Sequence, residues 1–185
     1  MVDADGKQLL SLIRYSCESI KTTVDNTLAR ANRIALLQDN KSLFSFNSLM
    51  QETKQQIHPD VQIMLGESSD NDAIYFFKKP LLQVVTNLII TSSQFNDKDN
   101  MVFEIAYRQN REHYIFTISD NGKGIPVFSR NGQFVLLQSS DNDHEDSFYT
   151  DNLDAIKEIV ISLSGTFEMN FDDKKGTMFI ITLQK

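Results

Sequence analysis

Between Met101 and Ser119 two runs alternate apolar and polar residues one by one, MVFEIAYRQ and HYIFTIS, and only Asn110-Arg111-Glu112 separates them. A period of two is the pattern of a strand with one buried face, and a three-residue break rich in turn formers joins two such strands as a hairpin. The apolar face of that hairpin has to be covered. Just upstream, PLLQVVTNLIITSSQF, residues 80 to 95, carries apolar side chains on almost every side of a helix around one asparagine, Asn87. It is predicted as a buried helix in which the amide of Asn87 must find a partner, because an unsatisfied buried amide costs about 1–3 kcal/mol.

The same alternation recurs near the C-terminus, in TFEMNF and TMFIITL, joined by the turn Asp172-Asp173-Lys174-Lys175-Gly176. A helix over about 152 to 164 precedes them, with Leu153, Ile156, Ile159, Val160 and Leu163 inward and Gly165 as its stop. Further upstream, LFSFNSLMQETKQQI reads as a short extended piece and a helix capped by Asn47 or Ser48 and closed by Pro59. Strands follow at Val61 to Leu65 and in AIYFF, with GESSDND as the loop between them. The expected fold is α+β: a sheet whose strands mostly meet as hairpins, with helices over one face.

Ahead of this lies a heptad stripe from about Lys7 to Gln38. Ile13, Cys17, Ile20, Val24, Thr27, Ala31 and Ile34 alternate steps of four and three. Periodicity leaves two readings open, a dimerisation or bundle helix and a helix packed on its own domain; Cys17 and Thr27 on the seam favour a multi-helix bundle over a two-stranded zipper. The expected division is 1–42 for this helix and 43–185 for the globular part.

Composition removes several function classes. A formal net charge of -7, from 18 basic and 25 acidic residues, argues against a nucleic-acid partner. The single cysteine cannot close an internal disulfide, and no apolar run has membrane-spanning length, so a cytoplasmic piece without direct membrane insertion is expected. A membrane-anchored parent chain is compatible with all of this.

The densest chemistry lies where HYIFTIS runs into Asp120-Asn121-Gly122-Lys123-Gly124-Ile125-Pro126. A carboxylate at a strand end can accept a hydrogen bond from an exocyclic amine, and Gly122 and Gly124 permit positive φ and close backbone approach, leaving room for a flat base. The plainer reading is a tight turn capped by an aspartate. The order LLQVVTNLIITSSQF, ISDNGKGIP, IKEIVISLSGTFEM, KKGTMFIITL resembles the ATP-binding domain of sensor histidine kinases, of the gyrase, Hsp90 and MutL type. The likeness spans the last hundred-odd residues, and the upstream part resembles the second dimerisation helix of those kinases and its linker.

The resemblance implies a two-layer α/β sandwich of the histidine kinase-like ATPase type, preceded by a long amphipathic helix. It implies Asp120 as the reader of adenine, Thr177 supporting it through a water, Gly122 and Gly124 lining the base, and Asn87 near the phosphates. It also implies ATP with magnesium as cofactor where the site functions, a response regulator receiver domain as partner, and a homodimer through the N-terminal helix of the parent protein.

Departures from the pattern are equally specific. Thr91 stands where the family has its magnesium-ligating asparagine, and a hydroxyl is a weaker ligand than an amide oxygen. Ser93 takes the place of a small residue and Gln94 that of a basic one. Glycines are missing from Phe148-Tyr149-Thr150-Asp151-Asn152-Leu153, where the family's bare helix N-terminus cradles polyphosphate, and Asp141, Asp143, Glu145 and Asp146 add negative charge just upstream, although such a run is also what a solvated loop contains. None of His58, His113 and His144 has the surroundings of a phosphoacceptor, so no catalytic residue is assigned. Three readings follow: a kinase catalytic-domain fragment that binds ATP, a pseudokinase or phosphotransfer scaffold that docks response regulators without nucleotide, and a non-signalling α+β interaction module.

Overall fold

The structure is a computed structural model and describes residues 40–125, 127–130, 133–136, 143–172 and 176–185. The heptad helix expected over Lys7 to Gln38, with Cys17, lies outside them. Residues Asp39–Lys185 form one unit.

Its frame is a five-stranded sheet in the order β2-β4-β5-β9-β8. The predicted hairpin is β4 (Met101–Gln109) and β5 (His113–Asp120), antiparallel with Phe103 opposite Asp120 and Gln109 opposite Tyr114. The Asn110 side chain accepts from the backbone of Glu112 and His113 at 2.9 and 2.7 Å, which makes the turn self-contained. The C-terminal hairpin, β8 (Gly165–Asp172) and β9 (Gly176–Gln184), completes the far edge, and β9 pairs antiparallel with β5.

One pairing departs from the expected run of hairpins. β2 (Val61–Ser68) lies parallel to β4, because β3 (Ala73–Phe77) and a helix intervene and carry the chain back to the same end. β3 joins β1 (Lys41–Ser45) in a separate antiparallel ribbon, tied to the main sheet where the Tyr75 backbone N–H donates to the Tyr114 hydroxyl at 3.1 Å. β6 (Val127–Arg130) and β7 (Gln133–Leu136) form a third, two-stranded sheet that the sequence reading did not anticipate.

The helices differ from expectation at their ends. α1 (Phe46–Gln56) is capped by Ser45, whose hydroxyl accepts from Ser48 N at 3.0 Å, and not by Asn47 or Ser48; the cap sits earlier because the helix starts directly at the end of β1. α2 (Lys78–Ser93) begins two residues before Pro80 and has no side-chain cap. α3 (Asp143–Ser162) begins well before residue 152, so the glycine-free stretch 148–153 runs inside a helix, and 145–146 belong to its first turn and not to a loop. The stop after α3 uses Ser164 at φ 59, with Gly165 already in β8. Glycine is required at 165 for space: a Cβ there would meet the Leu183 side chain and Thr182 O, both at 2.7 Å.

Period two in the sheet determines what faces the helices. Phe103, Ile105 and Tyr107 of β4, Tyr114, Phe116 and Ile118 of β5, and Phe179, Ile181 and Leu183 of β9 are all buried. Leu81, Val85 and Leu88 of α2 and Leu153, Ile156 and Val160 of α3 join them in one core. Phe46, at the start of α1, stacks on Tyr107 at 5.2 Å between ring centres, and Tyr107 packs on Phe116 at 5.2 Å. The resulting two layers, sheet below and helices above, leave the end of β5 pointing its last inward residue at α2. That residue is Asp120.

Candidate functional site

Alternation along β5 carries the inward register through Tyr114, Phe116 and Ile118 to Asp120, so a carboxylate occupies a core-facing position and is 6% exposed. It is held from three sides. Gly122 N donates to Oδ1 at 2.8 Å, closing the turn on itself. Thr177 N, from the neighbouring strand β9, donates to Oδ2 at 3.2 Å, and the Ser92 hydroxyl, from α2, donates to the same oxygen at 2.5 Å. A buried carboxylate is tolerable only with such donors, and the short serine bond lies in the range of charge-assisted O–H···O⁻ pairs.

The glycines make these approaches possible. Gly176 has φ +87, and a Cβ on it would lie 2.4 Å from Asp120 O and 2.5 Å from its Oδ1. Gly124 has φ +78 and would drive a Cβ into the Phe171 ring and the Gly176 backbone. Gly122 abuts the side chain of Asn96. Thr177, 1% exposed, accepts from Ile125 N at 2.7 Å, which fastens the far end of the glycine turn to β9. Asn121 holds the near end: its carbonyl accepts from Val102 N at 3.0 Å and from the Asn96 amide at 3.2 Å, while its amide donates to Asn100 O at 3.0 Å.

Asp120, Gly122, Gly124 and Thr177 are thus brought into one constellation. Asn87 and Thr91 are not hydrogen-bonded to it. They lie one turn apart on α2, Thr91 buried and Asn87 half-buried on the flank of the buried stripe. The expectation that Asn87 is buried and bonded is corrected: its side-chain amide takes no partner among the described residues, and partial exposure lets water serve it. Among the described residues no group of three or more His, Cys, Asp or Glu side chains is placed to hold a metal ion. His58 is exposed beside Asp60, and His113 is half-buried at the start of β5. His144 and the acidic positions 141 to 146 lie where no side chain is described.

Two contributors escaped the sequence reading. In the sequence Gly176 has only the signature of a turn, yet its missing side chain admits Asp120. Ser92 carries no motif, yet it falls on the stripe Leu81, Val85, Leu88, Ser92, all buried. A hydroxyl in the middle of an apolar helical stripe needs a bond, and that was the available signal.

An open cleft of about 670 Å³ between residues 67–71 and 108–111 lies at the other end of the sheet. Asp120 lies six residue steps along β5 from the Tyr114 level, roughly 20 Å at strand rise. The cleft is therefore distinct from the carboxylate constellation.

No protein-family model matches the sequence, and no curated protein matches it. Solved structures do match. Histidine kinase AdeS of Acinetobacter baumannii aligns over 100% of this chain and 86% of its own, with 16% identity and a TM-score of 0.61. The ATP binding domain of PrrB from Mycobacterium tuberculosis aligns over 79% of this chain and 98% of its own, with 16% identity and a TM-score of 0.55. Full-length ShkA, solved in complex with AMPPNP, aligns over 99% of this chain and 39% of its own, with 13% identity and a TM-score of 0.63. The chain has the fold of histidine kinase ATP-binding catalytic domains, as the motif resemblance in the sequence implies. No helix among the described residues is long and apolar enough to cross a membrane.

Proposed function

We propose that residues 43–185 are the nucleotide-binding module of a sensor histidine kinase, and that Asp120 reads the exocyclic amine of adenine. The observation that carries this reading is the buried Asp120 carboxylate at a strand end, clasped between a glycine turn and Gly176-Thr177. Gly122 and Gly124 would line the base, Thr177 would support Asp120 through a water, and the amide of Asn87 would lie near the phosphates. Magnesium bound with ATP would neutralise phosphate charge, and Thr91, buried on α2, is the residue at the position of the family's usual ligand. In phosphoryl transfer such positioning and neutralisation supply most of the catalysis. The phosphoacceptor would belong to another helix, residues 1–42 would serve a homodimer in the parent protein, and the partner would be a receiver domain in the cytoplasm.

One observation favours the second reading, a scaffold that docks response regulators with little or no nucleotide. Because α3 is helical from Asp143, the amides of 148–153 bond within the helix and are not bare, and the only N-terminus it offers carries Asp143, Glu145 and Asp146 in its first turn. Acidic residues there suit the helix dipole but repel a triphosphate.

Calorimetry separates the two. ATP titrated with and without magnesium into the intact chain and into Asp120→Asn is expected to give binding in the former that weakens in the latter, which loses the carboxylate charge that Ser92, Gly122 and Thr177 hold in place. The chain's thermal unfolding serves as the fold control. An intact fold with no heat of binding at millimolar nucleotide would leave the scaffold.

A further inference from the structure

Ionised carboxylates offer about four acceptor positions, two on each oxygen. At Asp120 both positions of Oδ2 are taken, by the Ser92 hydroxyl at 2.5 Å and by Thr177 N at 3.2 Å. Oδ1 accepts from Gly122 N at 2.8 Å, and its remaining side adjoins Gly176, where a Cβ would lie 2.5 Å away. An incoming amine therefore meets a carboxylate whose acceptor capacity is nearly exhausted by the protein. Two of the three donors are backbone groups that the fold cannot withdraw. The third is a side chain. At 1% exposure Ser92 cannot itself contact a ligand without movement, so its oxygen does not substitute as the acceptor it has displaced.

We propose that Ser92 sets base selectivity at this site by competing, as an internal donor, with the purine 6-amino group for Asp120. This rests on the adenine reading above and goes further, since it assigns weak discrimination among purine nucleotides to one hydroxyl on α2. With the hydroxyl in place, the amine gains little over a hydrogen at the same ring position. With the hydroxyl removed, Oδ2 recovers an acceptor position and the amine gains a charge-assisted bond. The substitution is sterically mild, because alanine is smaller than serine and favours the helix.

The test uses the intact 185-residue chain. Affinities for ATP and for purine riboside triphosphate, which lacks the 6-amine, are measured by calorimetry on the unaltered protein, Ser92→Ala and Ser92→Cys. The expected ratio of affinities is within about threefold for the unaltered chain and about tenfold or more for Ser92→Ala, the scale of one hydrogen bond to a charged group. Ser92→Cys keeps the size of serine with a poor donor and moves the same way, which carries the test should alanine disturb the helix. A purely structural role would change both affinities together and leave their ratio alone. If both nucleotides bind and the ratio in the variants is unchanged or lower, the selectivity role is overturned while the nucleotide site stands. If neither nucleotide binds any of the three folded proteins, both proposals fall.

Discussion

Asp120 and Tyr107 show opposite solutions to burying a polar group. The carboxylate has three donors within 3.2 Å. The phenol, ringed by Phe46, Phe116 and Tyr114, has none for its hydroxyl. Burial pushes the Tyr107 hydroxyl well above the ordinary tyrosine value of 10, with the neighbouring Tyr114 and Asp72 acting in the same direction. Below pH 10 the phenol is neutral whether the chain is folded or not, and pH does not matter to it. Above pH 10 the unfolded chain releases the proton while the folded one retains it, so stability falls as pH rises. Tyr107→Phe should be close to neutral or stabilising by up to ~1 kcal/mol at pH 7, since no hydrogen bond is lost. In urea unfolding it should also retain about 1.4 kcal/mol more than the unaltered chain on going from pH 8 to pH 11. Equal losses in the two proteins would show that the hydroxyl finds a partner or water.

At the scale of elements, what was legible in the sequence was whatever repeats locally. The hairpin β4–β5 follows from two period-two runs and Asn110, and β8–β9 from the same pattern, because cross-strand neighbours there are close in sequence. The parallel pairing of β2 with β4 was not legible, since a crossover of a strand and a helix decides it and no residue in VQIML signals its partner. The length of α3 was missed for a related reason: its first turns lack the apolar stripe that marks 153–163, and stripe-based reading starts a helix where burial starts. Its end carries a prediction. Ser164 holds a left-handed φ of 59 that a side chain disfavours and glycine accepts. Ser164→Gly should therefore stabilise the chain by about 0.5–1 kcal/mol in chemical denaturation. A loss of similar size would mean that the serine side chain contributes to the α3–β8 junction more than the strain costs.

Across the whole molecule, the sheet brings together residues that local pattern cannot connect. Asp120 and Thr177 lie 57 positions apart, and only the pairing of β5 with β9 makes them neighbours. Their association was expected from the family resemblance and not from spacing. Ser92 shows the limit of that route, because the resemblance rests on the residues of the shared motifs and is silent on this hydroxyl. The two ends of the sheet also differ in kind: one has the enclosed carboxylate and its glycines, the other the open cleft with the exposed Glu67–Arg108 ion pair, a contact of small energetic weight. A ligand could in principle be taken at either end, and the amides report which. The most direct test of the account is a heteronuclear NMR titration of the intact chain with a non-hydrolysable ATP analogue and magnesium. The account predicts shifts concentrated at the backbone amides of Gly122, Gly124, Ile125 and Thr177, with those of Ser69 to Asn71 and Arg108 to Arg111 unmoved. Shifts confined to the latter group, or none at millimolar analogue, would contradict it.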